Sequence, residues 1–318
     1  MTSLTVSSLT RSWPKATVAQ AARMSVLGLS MVCVAPVAHA RLDYSVSFVG
    51  DVASVSDLTG QIVDHVGAAL ADWGRYVAGS AKIDVEVQVT NSVPEAAASS
   101  RASGYVGTQS GLSVYGSGMA FKINQGVDVN GDTPDIEILL NPAYLHNDLW
   151  FDPEPFSRHD LVPLDKVDAM SLFIHEVGHA LAFNGWGNHI NGALPADYAS
   201  TWDINTHFDG TNLYFVGARA EQLYGGAVPV TVGSNYHIGN ANGPGVDLVP
   251  DIMNGVAFYR GSRYEISPLD VAMIQDMGVV VQAVPEVQSI WLMACGLLAM
   301  VIAMKLQARV TPAPRDCR

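Results

Sequence analysis

Cysteine is almost missing from this chain of 318 residues, which contains only three. Cys33 lies in an apolar run near the N-terminus, Cys295 lies in a second apolar run, and Cys317 follows in the last residues. The long segment between the two runs therefore has neither a disulfide nor a thiolate that can bind a metal. A metal site there must use histidine, aspartate or glutamate.

Positive charge is also scarce. Between residues 41 and 285 there are 10 Lys and Arg against 28 Asp and Glu, a net charge of −18. Nucleic-acid binding requires a basic face that neutralises phosphates, so we expect no nucleic-acid partner. Only 15% of all residues are charged and 49% are hydrophobic, which favours a folded domain over a disordered chain.

Residues 1–40 have the three parts of a secretory signal peptide. Basic residues come first, residues 24–34 form an apolar run, and Ala38 and Ala40 supply the small-residue cleavage pattern. We therefore expect an exported protein, in the cell envelope or outside the cell, whose mature chain begins near Arg41. The alternative interpretation is a short buried helix.

A second apolar run covers residues 287–304 and is followed by Lys305 and Arg309. Its length approaches that needed to cross a bilayer, and the positive flank indicates the cytoplasmic side. With the Pro-Glu pair before it, the segment resembles the PEP-CTERM sorting signal of exopolysaccharide-producing Gram-negative bacteria. For residues 283–318 the resemblance implies an exosortase partner and transient anchoring by a membrane helix; an ordinary membrane anchor is the alternative.

The central segment mixes the periodicities of strands and helices. Alternating residues predict strands at Tyr44–Val49 and Ile83–Val89, and helical spacing of apolar residues predicts a helix over Leu58–Tyr76. A short strand is expected at Ile136–Leu140, whereas the Ala-, Ser- and Gly-rich stretch Glu95–Ala120 is expected to be loop or irregular strand. This pattern favours an α/β or α+β architecture.

A polar stretch from Asp128 to Asp132 is similar to the start of a calcium-binding loop. The twelfth position of an EF-hand loop requires Glu, but Leu139 occupies it, so an EF-hand is excluded. An irregular Ca²⁺ site and a simple polar turn remain as interpretations, of which the turn is better supported.

The strongest chemical signal is His175-Glu176-x-x-His179 within an apolar helical pattern. Four residues advance a helix by about 400°, so the two imidazoles project from one face, one turn apart. At that separation two histidines can hold one metal ion, while Glu176, about 100° away, can act on a water. We expect Asp168 to cap this helix and Gly185 to end it.

Neutral imidazoles favour Zn²⁺ among the available metals. A catalytic zinc site has three protein ligands and one open position, and the ion lowers the pKa of water to about 7. Glu176 would accept the proton and pass it to the leaving amine. The expected function is that of a zinc-dependent endopeptidase with a protein or peptide substrate.

The spacing leaves the third ligand open. The position six residues after His179 is Gly185, so the compact three-histidine pattern is absent, and no Glu lies about twenty residues downstream. Glu221, in a Glu-x-x-Tyr-Gly context, is a candidate by its ligand chemistry. The remaining candidates are His189, His207 and His237. Asp203 is a candidate partner for the second nitrogen of a ligand.

The region after His237 contains Asp251-Ile-Met253-Asn-Gly and then a predicted helix. Together with His-Glu-x-x-His-Ala-Leu-x-Phe, it resembles the Met-turn metzincins, in particular their leishmanolysin-like branch, and is similar to bacterial PEP-CTERM-associated metalloproteases. The resemblance covers residues 168–278. It implies zinc ligands His175, His179 and His237, with Glu176 as general base and Met253 packed beneath the metal.

The resemblance also implies a fold for residues 41–282: an α+β, zincin-like catalytic domain. Its parts would be a mixed twisted sheet, an active-site helix and a mostly irregular C-terminal subdomain closed by a helix. Ser267 and Asp270 predict a capping box at the start of that last helix, and Gly278 predicts its end. The chain departs from the family pattern at Ala182, where the family has Gly, and in lacking the many cysteines of leishmanolysins.

Two other functions fit the same residues. One is a non-catalytic surface or matrix-binding protein with a structural zinc site; Glu176 argues against it, because a structural site needs no base beside the metal. The other is a metal-dependent hydrolase acting on non-peptide bonds. The substrate itself is not determined by the sequence, since specificity depends on the shape of the pockets.

Overall fold

A computed structural model describes residues 42–282 and, beyond them, only residues 296 and 298. The predicted signal peptide lies outside the described residues, and so does nearly all of the predicted sorting segment. Within the described part, no helix combines the length and apolarity needed to cross a bilayer. The longest has 16 residues, whereas a bilayer requires about 20. This finding contradicts the prediction of a C-terminal membrane anchor.

Residues 42–282 contain both helices and strands. The helices are α1 (Thr59–Gly74), α2 (Gly118–Gln125), α3 (Pro142–Asn147), α4 (Ala169–Leu181), α5 (Ala218–Tyr224) and α6 (Pro268–Asp276). The strands are β1 (Leu42–Gly50), β2 (Ala81–Val89), β3 (Ala96–Ser100), β4 (Ser103–Gln109), β5 (Leu112–Ser117), β6 (Ile136–Leu140), β7 (Leu149–Trp150), β8 (Val167–Asp168), β9 (Tyr198–Ser200), β10 (Thr206–Phe208), β11 (Leu213–Phe215) and β12 (Val228–Pro229). The arrangement is mixed α+β, in agreement with the coarse prediction.

The main sheet has the strand order β1-β2-β6-β3. Strands β1, β2 and β6 are parallel, and β3 runs antiparallel to β6 at the edge. The alternation that predicted β2 is visible in its burial, since Ile83, Val85 and Val87 are all buried. Three smaller sheets have the orders β4-β5-β9, β10-β11-β12 and β7-β8.

The stretch Glu95–Ala120, expected to be loop or irregular strand, is more regular than predicted. It contains β3, β4, β5 and the start of α2. Its Ala, Ser and Gly residues have no marked alternation of hydrophobicity, because the five residues of β3 are all half-buried. A period-two pattern therefore could not reveal these strands.

Helix α4 lies in the core, where it packs against α1 and against strands β3 and β6 of the main sheet. All thirteen of its residues are buried. The indole nitrogen of Trp73, on α1, donates a hydrogen bond to the backbone oxygen of Ile174 at 2.9 Å. A Cβ at Gly178 would lie 3.1 Å from the Trp73 ring, so this glycine permits the close approach of the two helices.

The chain after α4 has little regular structure until α6. Ser267 accepts a hydrogen bond from the backbone nitrogen of Asp270 (3.1 Å), and the Asp270 carboxylate accepts one from the backbone nitrogen of Ser267 (2.7 Å). This is the predicted capping box. The helix ends at Asp276, and Gly278 follows with φ of +89°.

Candidate metal centre

Helix α4 begins as the sequence predicts and ends earlier. The Asp168 carboxylate accepts hydrogen bonds from the backbone nitrogen (3.0 Å) and hydroxyl (2.7 Å) of Ser171. The helix stops at Leu181, because Ala182 has an extended φ of −161°. Gly185, the predicted stop, lies in the loop beyond, where its backbone is close to the Asp203 carboxylate.

Three histidine side chains converge on one point. The Nε2 atoms of His175 and His179 lie 2.9 Å apart, and the Nε2 atom of His237 lies 3.2 Å and 3.0 Å from them. His175 and His179 are buried and His237 is half-buried. Among the described residues, these three histidines form the group of side chains that could hold a metal ion.

The hydrogen bonds of the Nδ1 atoms determine which ring nitrogens face the centre of the cluster. The Nδ1 atoms of His175 and His179 each lie 2.7 Å from a backbone oxygen, that of Ile252 and that of Phe183. A carbonyl can only accept, so each Nδ1 carries the proton and each Nε2 presents a lone pair to the centre. The sequence suggested Asp203 as the partner of a ligand nitrogen. This prediction is wrong, because the Nδ1 atoms of His175, His179 and His237 have other partners.

These nitrogens fit a bound cation. Ligands 2.0–2.1 Å from one tetrahedral zinc ion lie about 3.3 Å from each other, slightly farther than the observed separations. Burial lowers the pKa of His175 to about 3 and that of His179 to about 4, and it holds the pKa of His237 well below its usual value. The rings are therefore neutral, and their facing lone pairs repel each other unless a cation lies between them.

Glu176 lies beside the histidine cluster and is itself buried. Burial, and secondarily the charge of Glu95, raises the pKa of its carboxyl to about 8. The backbone of Ala98, on β3, hydrogen-bonds this carboxylate, whereas Oε2 is buried and has no partner among the described atoms. An unpaired buried acceptor is costly, so this oxygen is suited to receive a proton or a water hydrogen.

His237 is held by turns rather than by a helix. Isolated β-bridges join Ile238 to Val230 and to Asn254. The buried amide of Asn235 accepts hydrogen bonds from the Trp202 indole (2.8 Å) and from the backbone nitrogen of Tyr236 (3.0 Å).

The residue just before the third histidine has an uncommon backbone. Tyr236 has φ of +83°, which is rare for a bulky residue and marks strain at this position. The Ser234 hydroxyl lies 3.0 Å from Nδ1 of His237 and completes the surroundings of that ring.

Met253 packs against α4, next to Gly178. It is fully buried, and its sulfur would lie 2.7 Å from a Cβ at Gly178, the residue before His179. Its backbone oxygen accepts from Ile238 (3.0 Å), and its backbone nitrogen donates to the Asp251 carboxylate (2.9 Å). The turn around Met253 thus connects the third histidine to the helix.

The other candidate ligands lie elsewhere. Glu221 is on α5 and is not part of the converging group. His189 and His207 are exposed, and neither belongs to the group. Asp203 instead accepts hydrogen bonds from the backbone nitrogens of residues 186, 187 and 200, so that it shapes the loop after α4.

The proposed calcium stretch forms a polar turn. Asp128 accepts hydrogen bonds from the backbone nitrogens of Asn130 (3.1 Å) and Gly131 (3.0 Å). Its other oxygen pairs with Lys122 at 2.8 Å. Both oxygens of this carboxylate are thus occupied within the protein, as the turn interpretation requires.

A cleft runs past the histidines along β3. Ala96, Ala97 and Ala98 border it together with His175, Glu176 and His237. Within the described residues β3 pairs only with β6, so its other edge faces this cleft. Sequence patterns did not reveal that edge or the contact between Ala98 and Glu176, because both depend on contacts between distant segments.

Comparisons with protein-family models, with curated proteins and with solved structures gave no match to this chain.

Proposed function

We propose that this protein is a zinc-dependent endopeptidase. The observation that carries the proposal is the position of three histidine Nε2 atoms within 3.2 Å of one another, beside a buried glutamate with an unpartnered oxygen. A structural zinc site is normally closed by four protein ligands, whereas catalytic sites have three and an open position. The three-ligand set and Glu176 together favour catalysis.

The residues have separate roles in the proposed reaction. His175, His179 and His237 would hold the zinc ion, which supplies polarisation of the substrate carbonyl and activation of water. A cation held by the histidines would favour the ionised form of Glu176, which would then receive the proton of the attacking water at its free Oε2 atom. The same carboxyl then donates that proton to the leaving amine, so one buried side chain acts as base and then as acid.

The edge of β3 supports a polypeptide as the substrate. An extended peptide can add to a free sheet edge through backbone hydrogen bonds, without dependence on its side chains. Such a peptide would run beside Ala96–Ala98 and across the face of the histidine cluster. This layout, with Met253 packed against α4, also supports the metzincin-like assignment that we propose for the fold.

The test combines metal analysis with one substitution. The purified protein should bind one zinc ion, and chelation should abolish cleavage of an unfolded protein such as casein. Glu176→Gln should retain the metal and lose at least about 100-fold in cleavage rate, the lower range for general acid–base catalysis. Glu221→Gln is the matched control and should keep both the metal and the activity.

Each alternative predicts a different result. A bound zinc ion with no turnover of any protein or ester would identify a structural site. Turnover of esters without cleavage of peptides would identify a hydrolase of another class. Full activity of Glu176→Gln would contradict the role given to this glutamate.

A further inference from the structure

A second pocket adjoins the histidine cluster at the end of β3. It is bordered by His179 on one side and by Tyr115, Gly116 and Trp186 on the other, and we name it the Trp186 pocket. Its empty volume, with the open mouth included, is about 440 Å³. Because His179 borders both, the pocket and the metal centre share one cleft.

The Trp186 pocket has no charged side chain. No Asp, Glu, Lys or Arg borders it, in contrast to the other end of β3, where Glu95 and Arg260 lie beside the cleft. A charged side chain entering the pocket would lose its hydration without gaining an ion partner. The lining therefore disfavours charged residues.

Three of the hydroxyl groups that border the pocket already have hydrogen-bond partners within the protein. Those of Ser100 and Ser117 donate to the backbone oxygens of Ala102 (3.1 Å) and Ala180 (2.7 Å). The Ser200 hydroxyl accepts from the backbone nitrogen of Asp203 at 3.0 Å. Each of these three hydroxyl groups therefore has a partner without a bound side chain.

Two of the residues that border the pocket, Tyr115 and Trp186, belong to a row of aromatic rings. Trp186 lies edge-to-face between Tyr115 (5.9 Å between centroids) and Tyr198 (5.1 Å), and Tyr105 continues the row at 5.6 Å from Tyr115. Trp186 is 38% exposed and Tyr105 is 54% exposed, so part of this row faces solvent. Aromatic rings offer a large apolar contact area to an apolar side chain.

We infer that the Trp186 pocket selects an uncharged, apolar side chain of the polypeptide substrate, close to the bond that is cut. The inference rests on the proposed peptidase function. A strand rises about 3.3 Å per residue, so Ser100 at the pocket lies about 7 Å from Ala98, beside Glu176. The selected residue is therefore within two positions of the cleaved bond.

The direction of β3 places the selected residue on one side of that bond. Antiparallel pairs are slightly more stable per residue than parallel ones, so we take the bound peptide to run antiparallel to β3. Strand β3 runs from Ala96 at the histidine cluster to Ser100 at the Trp186 pocket. The N-terminal part of the peptide then lies at the pocket.

The test begins with cleavage of a random octapeptide library by the zinc-loaded full chain. Aliphatic and aromatic residues should be preferred about tenfold over Asp, Glu, Lys and Arg at a position one or two residues N-terminal to the bond. A Cβ at Gly116 would meet only Val106 at 3.4 Å and Thr201 at 3.8 Å, both ordinary contacts. Because Gly116 borders the pocket, Gly116→Val should narrow it and shift the preference at that position to Gly and Ala.

Two further variants keep the test decisive. Gly116→Ala makes a smaller change in the same direction, in case the valine variant does not fold. Gln109→Val places the same side chain at an exposed position on β4, outside the pocket, and should leave the cleavage profile unchanged. An unchanged profile in the folded Gly116 variants would overturn the inference, as would a preference C-terminal to the bond.

A binding measurement separates this inference from the proposed function. Immobilised, zinc-loaded Glu176→Gln protein should retain peptides with an apolar residue at one position, and Gly116→Val should abolish that enrichment. Enrichment without cleavage by the wild-type protein would refute the peptidase while supporting the pocket. Cleavage without any enrichment that depends on Gly116 would support the peptidase and refute the pocket.

Discussion

Helix α4 and the loop segment 231–258 build the same metal centre by different means. The helix provides His175 and His179, whose spacing follows from its regular repeat. The loop segment provides His237 through β-bridges and side-chain bonds to the backbone, such as those of Asn235. The comparison teaches that two ligands depend on one helix and the third depends on many separate contacts.

The two regions also differ in what surrounds them. Helix α4 is buried along its whole length, so the packing of the core holds its histidines in place. In the loop segment, Val232 is 70% exposed and Ser234 is only half-buried, although Asn235 is buried. We therefore expect the loop segment to depend more on the metal than the helix does.

Substitution of one ligand from each region has the largest expected effect. His179→Ala and His237→Ala should each lower zinc affinity by more than the roughly 10–100-fold typical of losing a residue that supports a ligand. Competition with a chromogenic chelator measures this affinity. The comparison would fail if His237→Ala bound zinc as tightly as the wild type, because the loop segment would then contribute no ligand.

Substitution of one supporting residue from each region sharpens the comparison. Asp168→Ala removes a buried helix cap and should lower the free energy of unfolding by about 2 kcal/mol, because the Ser171 donors lose their acceptor. Asn235→Ala should instead act mainly on the metal and lower zinc affinity roughly 10–100-fold. Urea unfolding of the metal-free protein and zinc titration measure the two effects.

The matched control for these two variants is Asp168→Asn, which keeps an acceptor and should lose less stability than Asp168→Ala. Equal effects of Asp168→Ala and Asn235→Ala on both stability and zinc affinity would show that the two regions do not differ in the way described.

The smallest expected effect concerns Asp270, which lies in the first turn of α6. Burial, and then the neighbouring charge of Asp251, raises the pKa of Asp270 well above its usual value. The folded protein therefore binds this proton more tightly than the unfolded chain does. The bound proton therefore stabilises the folded protein fully below about pH 3.8, the pKa of Asp270 in the unfolded chain. This stabilisation is lost as the pH rises through the pKa of Asp270 in the folded protein.

Asp270→Asn tests this pH dependence. The amide keeps the acceptor for the backbone nitrogen of Ser267 and carries no charge against Asp251. The variant should therefore gain stability relative to the wild type as the pH rises from 4 to 7, measured by urea unfolding of metal-free protein. Asp132→Asn, at an exposed position, is the control and should show no such trend. A constant difference between Asp270→Asn and the wild type across this range would contradict the expectation.

Much of the regular structure was predictable because its signals are local. The alternation of Ile83–Val89 and the helical spacing after Leu58 correspond to β2 and α1. The capping box at Ser267 also lies within a few residues of sequence. Strand β3 was missed, since its small, half-buried residues carry no alternation and its place at the sheet edge depends on pairing with β6.

The sequence by itself determined the pair His175 and His179 and the neighbouring Glu176, because a helix repeat places them from local spacing alone. The meeting of His237 with that pair, the bond between Ala98 and Glu176 and the exclusion of Glu221 were decided by the tertiary structure. The physical reason is distance along the chain. His237 lies 58 residues after His179, and at that separation only packing and hydrogen bonds between segments determine which side chains meet.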